Sequence, residues 1–123
     1  MAGGSILIVE DEAMVAMMLE DFLEELGYAV HGVAATLEEG LAATEAGGFD
    51  AALVDCNLHG EKSWPIAYKL TEKHIRFAFV SGGSGVDTPT DLETAPALSK
   101  PFTMDNVRTM LDALLTEIGR AHV

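Results

Sequence analysis

"SILIVEDE", residues 5–12, joins two kinds of sequence in one short stretch. Ser5 to Val9 is continuously apolar and rich in β-branched residues, the pattern of a strand covered on both faces. Glu10, Asp11 and Glu12 follow at once, so carboxylates stand at the strand's carboxyl end. The period then changes. Val15, Met18, Leu19, Phe22, Leu23 and Leu26 recur at three and four, with Glu20, Asp21, Glu24 and Glu25 on the other side, which predicts an amphipathic helix. Gly27 closes it as a C-terminal cap.

The alternation continues outward from this unit. "YAVHGVA" (28–34) reads as a second strand, "TLEEGLAATEAGG" (36–48) as a short helix and "FDAALVD" (49–55) as a third strand. "CNLHGEKSW" (56–64) is a polar loop with a glycine at its turn. "PIAYKLTEK" (65–73) is a helix with Pro65 tolerated in its first turn. "IRFAFVS" (75–81) is a fourth strand. "GGSGVDTPTDLETA" (82–95) lacks an apolar stripe and predicts a loop or at most a frayed helix. "PALS" (96–99) is a short fifth strand. From Thr103, an N-cap, a last helix carries Val107, Met110, Leu111, Leu114, Leu115 and Ile118 on one side. Five strands alternating with helices imply a parallel sheet with right-handed crossovers and helices on both faces.

Composition narrows the function. A chain of 123 residues fits one domain, residues 1–123, with 49% apolar residues to build its core. Seven Lys and Arg against twenty Asp and Glu give a formal charge of −13, which argues against nucleic-acid binding and against an anionic membrane surface. The start has no basic region and no signal-peptide pattern. A lone cysteine, Cys56, suits a reducing cytoplasm, the expected location.

Parallel sheets of this kind hold ligands outside the carboxyl ends of their strands. Those ends carry Glu10 and Asp11 after the first strand, Asp55 after the third, Ser81 after the fourth and Lys100 after the fifth. Clustered carboxylates repel by about 4 kcal/mol per pair at an effective dielectric near 20, so the group needs cations. Lys100 supplies one charge. An all-oxygen donor set suits Mg²⁺ for the rest. Asp55, placed singly on the central strand, is the candidate nucleophile toward phosphorus, with Mg²⁺, the Lys100 ammonium and the Ser81 hydroxyl as stabilisers of the transferred group.

With "LIVEDE", "LVDCNLHG", "FVSGG" and "SKPF" at the four strand ends, the sequence resembles the receiver domain of two-component response regulators over essentially its full length. The resemblance implies a flavodoxin-like sheet of strand order 2-1-3-4-5 and a phosphoprotein of phosphorelay signalling. Asp55 would be the Mg²⁺-dependent phosphoacceptor, fed by a histidine kinase or a histidine phosphotransfer protein. It implies that Asp11 touches the metal, that Glu10 acts largely through water, and that Asp55 and the Asn57 carbonyl complete the ligand set. It makes Ser81 the switching hydroxyl and Lys100 the partner of the phosphoryl oxygens, with a cis bond before Pro101. Ala13, Met14 and Met17 would form a docking patch for a histidine-bearing helix. Such a protein catalyses its own phosphorylation and dephosphorylation rather than acting as a conventional enzyme.

Two departures from the family stand out. Ala97 occupies the position of an aromatic residue that turns inward on activation, and the fourth helix is replaced by the Gly-, Thr- and Pro-rich stretch. The latter is a feature of single-domain receivers common in alphaproteobacteria and implies a fourth helix that is short or disordered until phosphorylation. With no output domain expected after Val123, signalling would run through protein contacts. The alternative is a receiver-like module that binds partners without phosphorylation. An aspartyl phosphatase should carry a second aspartate two residues after its nucleophile at the first strand end, and an FMN carrier should have a hydroxyl-rich phosphate loop there; "EDE" fits neither. The spacing of His31, His59, His74 and His122 assigns them no role.

Overall fold

The computed structural model describes residues 3–82 and 88–120, with side chains to Thr116 in the last helix. Five parallel strands form the central sheet: β1 (Ser5–Val9), β2 (Ala29–Ala34), β3 (Ala51–Asp55), β6 (Arg76–Ser81) and β7 (Ala97–Ser99). A two-stranded ribbon, β4 (Asn57–Leu58) and β5 (Glu61–Lys62), stands between β3 and the third helix. The sheet order is β2-β1-β3-β6-β7, which is 2-1-3-4-5 for the principal strands, as expected of a flavodoxin-like α/β fold.

Side-chain alternation along the strands divides the core. Ile6, Ile8 and Leu53 face the helices α1 (Ala13–Leu26) and α4 (Met104–Arg120), where Leu19, Leu23, Val107 and Leu111 meet them. Leu7, Val9, Ala52 and Val54 face α2 (Leu37–Ala46) and α3 (Trp64–Glu72), packing on Ile66, Leu70, Phe77 and Phe79. The central strand β3 is buried at every residue, so truncating Leu53 to Ala should cost about 2–5 kcal/mol.

Helix ends follow the local chemistry. Gly27 adopts the left-handed conformation with φ 93°, and its N–H reaches the carbonyls of Leu23 and Glu24. At α2 the Glu39 N–H donates to Thr36 Oγ1 at 3.0 Å while Glu39 Oε1 accepts the Ala35 N–H at 2.8 Å. At α4 Thr103 and Asn106 exchange the same kind of bonds at 3.1 and 2.9 Å, so Thr103 is the N-cap. Ile118 lies outside the described side chains.

Three details modify the expectation. "CNLHGEKSW" is a built hairpin rather than a loop: Asn57 pairs with Lys62 and Leu58 with Glu61, and Leu58 is wholly buried. Its central residues His59 and Gly60 have φ 51° and 84°, the positive values that two-residue hairpin turns require. Between β6 and β7, the described residues 88–96 hold one 3-10 turn, Thr90–Leu92, anchored by buried Leu92; the part of the predicted loop at 83–87 lies outside the described residues. In β2 the pairing jumps from Ile6↔Val30 to Leu7↔Gly32, leaving His31 as an extra residue in the edge strand.

Candidate functional site

The sheet topology draws the strand-end residues into one pocket. Glu10 continues β1, its N–H donating to Ala34 O at 2.9 Å, and its side chain is buried to 1% exposure. Asp55 ends β3 and is buried beside it. Asp11 begins the turn into α1. Oxygens of Glu10, Asp11 and Asp55 all lie within 4.8 Å of one another, the one group with metal-ligand spacing among the described residues.

Lys100 reaches in from the far side of β7. Its Nζ lies 3.0 Å from Asp55 Oδ2, 3.2 Å from Glu12 Oε1 and 3.5 Å from Glu10 Oε1. Its main-chain N–H donates to Ser81 O at 2.8 Å, which fixes the end of β6 to the lysine's own backbone. The Lys100–Pro101 bond is cis, as the resemblance implies. Ser81 is half-buried at the end of β6, one residue beyond Val80, the register partner of Asp55.

The Asp55 oxygens have separate partners. The Asn57 N–H donates to Oδ1 at 3.0 Å, while Oδ2 faces Lys100. Burial, and then the neighbouring Asp55, push the Glu10 carboxyl up to about 8, against the opposing pull of the Glu12 N–H and the Lys100 charge. Burial alone would lower the Lys100 ammonium, but its bond to Asp55 and the charges of Asp55 and Glu10 outweigh that and hold it above its ordinary value. Cys56, buried next to Asp55, has its thiol pushed up to about 11 by burial and the Asp55 charge, with Lys62 and Lys100 opposing.

This donor set fits a hard divalent cation. Glu10 Oε1 is buried without a hydrogen-bond partner, and a carboxyl driven toward neutrality by burial and by Asp55 is one that a cation would return to its charged form. Glu10, Asp11 and Asp55 are the side chains that would hold it.

Two participants escape a reading of the sequence alone. Glu12, exposed on the turn into α1, is a further carboxylate on Lys100. His59 donates its main-chain N–H to Asp11 Oδ2 at 3.0 Å, with its Nδ1 3.8 Å from the same oxygen, so the ribbon holds one oxygen of the acid pair. An isolated histidine in a polar stretch carries no sign of this. In the docking patch that the resemblance implies, Ala13 is exposed and Met14 and Met17 are 83% and 61% exposed on the outer side of α1. Trp64 packs edge-on against Phe79 at the start of α3, a structural role.

Against known proteins, the family model of the response regulator receiver domain matches residues 6–112. The chain belongs to that family. The solution structure of SdrG from Sphingomonas melonis Fr1 is 50% identical, with a TM-score of 0.81 over 90% of this receiver domain and 95% of that chain. SdrG in its BeF3-activated conformation is 49% identical, with a TM-score of 0.78 over the same shares. The receiver domain of PhyR from Erythrobacter litoralis is 27% identical, with a TM-score of 0.79 over 94% of this chain and 92% of that one. The transcriptional regulatory protein TcrA of Mycobacterium tuberculosis is 30% identical over 122 residues, 92% of this chain and 46% of TcrA. The chain spans about half the length of the curated relatives it matches. Among its described residues, no helix is long and apolar enough to cross a membrane.

Proposed function

We propose that this receiver domain is a cytoplasmic phosphoacceptor switch that takes a phosphoryl group on Asp55 from a phosphohistidine of a kinase or phosphotransfer protein and signals through protein contacts. The observation that carries the reading is the ammonium of Lys100, 3.0 Å from the Asp55 carboxylate and beside the orphaned oxygen of buried Glu10. A carboxylate held in this way is positioned rather than merely paired.

In the transfer, an Asp55 oxygen forms a bond to phosphorus while the donor's P–N bond, or P–O bond in an acyl phosphate, breaks and its electron pair leaves with the imidazole or acetate. The Asn57 N–H on Oδ1 orients the carboxylate, leaving Oδ2 on the lysine side. Lys100 and the Ser81 hydroxyl would meet the charge that spreads over the phosphoryl oxygens. Mg²⁺, held by Glu10, Asp11, Asp55 and the Asn57 carbonyl, would supply further countercharge. Ala13, Met14 and Met17 would receive the helix that bears the phosphohistidine, as adaptable apolar contacts beside the pocket.

SdrG, 49% identical, has a BeF3-activated conformation, and this supports the reading because beryllium fluoride is a chemical mimic of a phosphoryl group. The test is the intact mass of the protein after incubation with Mg²⁺ and acetyl phosphate. A gain of one phosphoryl group, absent in Asp55→Asn and in a chelated control, is the expected result. No gain from either acetyl phosphate or a phosphohistidine donor would overturn it in favour of a module that binds partners without phosphorylation.

A further inference from the structure

The pocket has a charge problem that Lys100 does not solve. A phosphodonor brings a dianion to a protein with a formal charge of −13, and Lys100 is already shared among Asp55, Glu12 and Glu10. Lys69 and Lys73 are engaged with Glu45, and Arg108 with Asp105 and Asp112. Lys62 differs: among the described residues its side chain has no ion pair and no hydrogen bond.

Its placement is also distinctive. Lys62 sits in β5 directly across from Asn57, whose N–H holds Asp55, and residues opposite each other in an antiparallel pair project from the same face of the ribbon. The next residue, Ser63, donates its N–H to Cys56 O at 3.0 Å, tying this strand back to the residue after Asp55. Among the described residues, Lys62 and Lys100 are cations whose charge opposes the rise of the Cys56 thiol. The ribbon that carries Lys62 is fixed by buried Leu58, by the His59 N–H on Asp11 and by the tight turn at His59–Gly60.

We propose that Lys62 is a positioning residue for the phosphodonor: an unpaired cation, held by the β4–β5 ribbon at the rim of the pocket, that attracts the donor's phosphoryl dianion toward Asp55. This rests on the reading of Asp55 as the acceptor. A single exposed charge acting on a dianion at the rim is worth about fivefold in donor affinity at low ionic strength, and the effect fades as the Debye length shrinks to about 3 Å near 1 M salt.

The experiment uses acetyl phosphate as the probe and two pairs of proteins. Wild type and Lys62→Gln are compared for the second-order rate of mass gain, from low to high NaCl. Asp55→Asn and Asp55→Asn/Lys62→Gln, which cannot be modified at this position, are compared for binding of intact acetyl phosphate by amide chemical shifts. The expected result is about fivefold slower modification and about fivefold weaker binding without Lys62, both differences closing in high salt and both rescued by Lys62→Arg. A change that high salt leaves intact would mark a merely structural effect and overturn the proposal. Equal binding in the Asp55→Asn pair overturns it even where wild type is readily modified. Weaker binding in the double variant, with no mass gain in wild type, would support Lys62 while removing Asp55 as acceptor.

Discussion

Lys100 and Asp55, 45 positions apart in sequence, meet at 3.0 Å because β6 alone separates the ends of β3 and β7 in the sheet. The lysine is mostly covered and faces three carboxylates. Lys100→Ala leaves those carboxylates without their cation and should destabilise the metal-free protein by about 1–3 kcal/mol at pH 7.5, less than for a fully buried pair because water reaches the ammonium. Urea denaturation with and without Mg²⁺ checks this; added Mg²⁺ should recover part of the loss. An unchanged midpoint would show that the pair contributes nothing to stability.

Glu10 sets a pH dependence whose sign is determined. Its folded value of about 8 lies above the ordinary 4.5, so between those values the folded protein binds more protons than the unfolded chain. Stability of the metal-free protein therefore falls as pH rises from about 4.5 to about 8. A divalent cation favours the charged carboxylate, so the rise in Tm caused by Mg²⁺ should be larger at pH 8 than at pH 5. Thermal melts of wild type and Glu10→Gln at both pH values decide it; the variant should have the flatter profile.

Gly40 lies where α2 closes on α3. A Cβ there would stand 2.4 Å from Ile66 Cδ1 and 3.4 Å from Val9 Cγ1, and Ile66 is wholly buried. Helix propensity favours alanine over glycine by about 1 kcal/mol, but crowding a packed core costs about 1–3 kcal/mol. Gly40→Ala should therefore be neutral to destabilising, by up to about 2 kcal/mol. Shortening the neighbour reverses this: adding Gly40→Ala to an Ile66→Val background should be stabilising, and denaturant midpoints of the four proteins give the coupling directly.

The segment before β7 is held to α3 by the Tyr68 hydroxyl, which donates to Asp91 Oδ1 at 2.9 Å. The bond is exposed, so Tyr68→Phe should leave the denaturant midpoint of the whole protein close to that of wild type. Its effect should be local, as faster amide exchange at residues 90–95. Exchange that stays at the wild-type rate would assign the anchoring to Leu92 alone.

Met14→Gln replaces an apolar contact in the exposed methionine pair of α1 with a polar one and leaves the charge around the acid pocket unchanged. Transfer from a phosphohistidine protein should slow about tenfold while the acetyl phosphate reaction stays within twofold. Equal slowing of both would remove the docking role.

What could be read in advance follows from the physics of each signal. Continuous apolar runs such as "SILIV" and "AALV" declare doubly covered strands, and the polar residue after each run declares the pocket, because topology brings strand ends together whatever the loops do. The ribbon escaped that reading because two-residue strands are too short to show a period, so "NLHGEK" looks like any polar loop. Glu12 escaped because its role depends on a long lysine arriving from 88 positions away. His59 acts through its backbone N–H, which every residue but proline has and no side chain announces.

The extra residue at His31 has a bearing on how the molecule behaves in company. An outer strand with an even ladder is a template on which another chain's strand can grow, and β2 carries exposed Ala29 and Val33 along that rim. The misstep between Val30 and Gly32 interrupts the spacing of its hydrogen-bonding groups, so an arriving strand that matches one half is out of step with the other. The same irregularity that breaks the ladder inside the sheet works against copies of the protein stacking edge to edge.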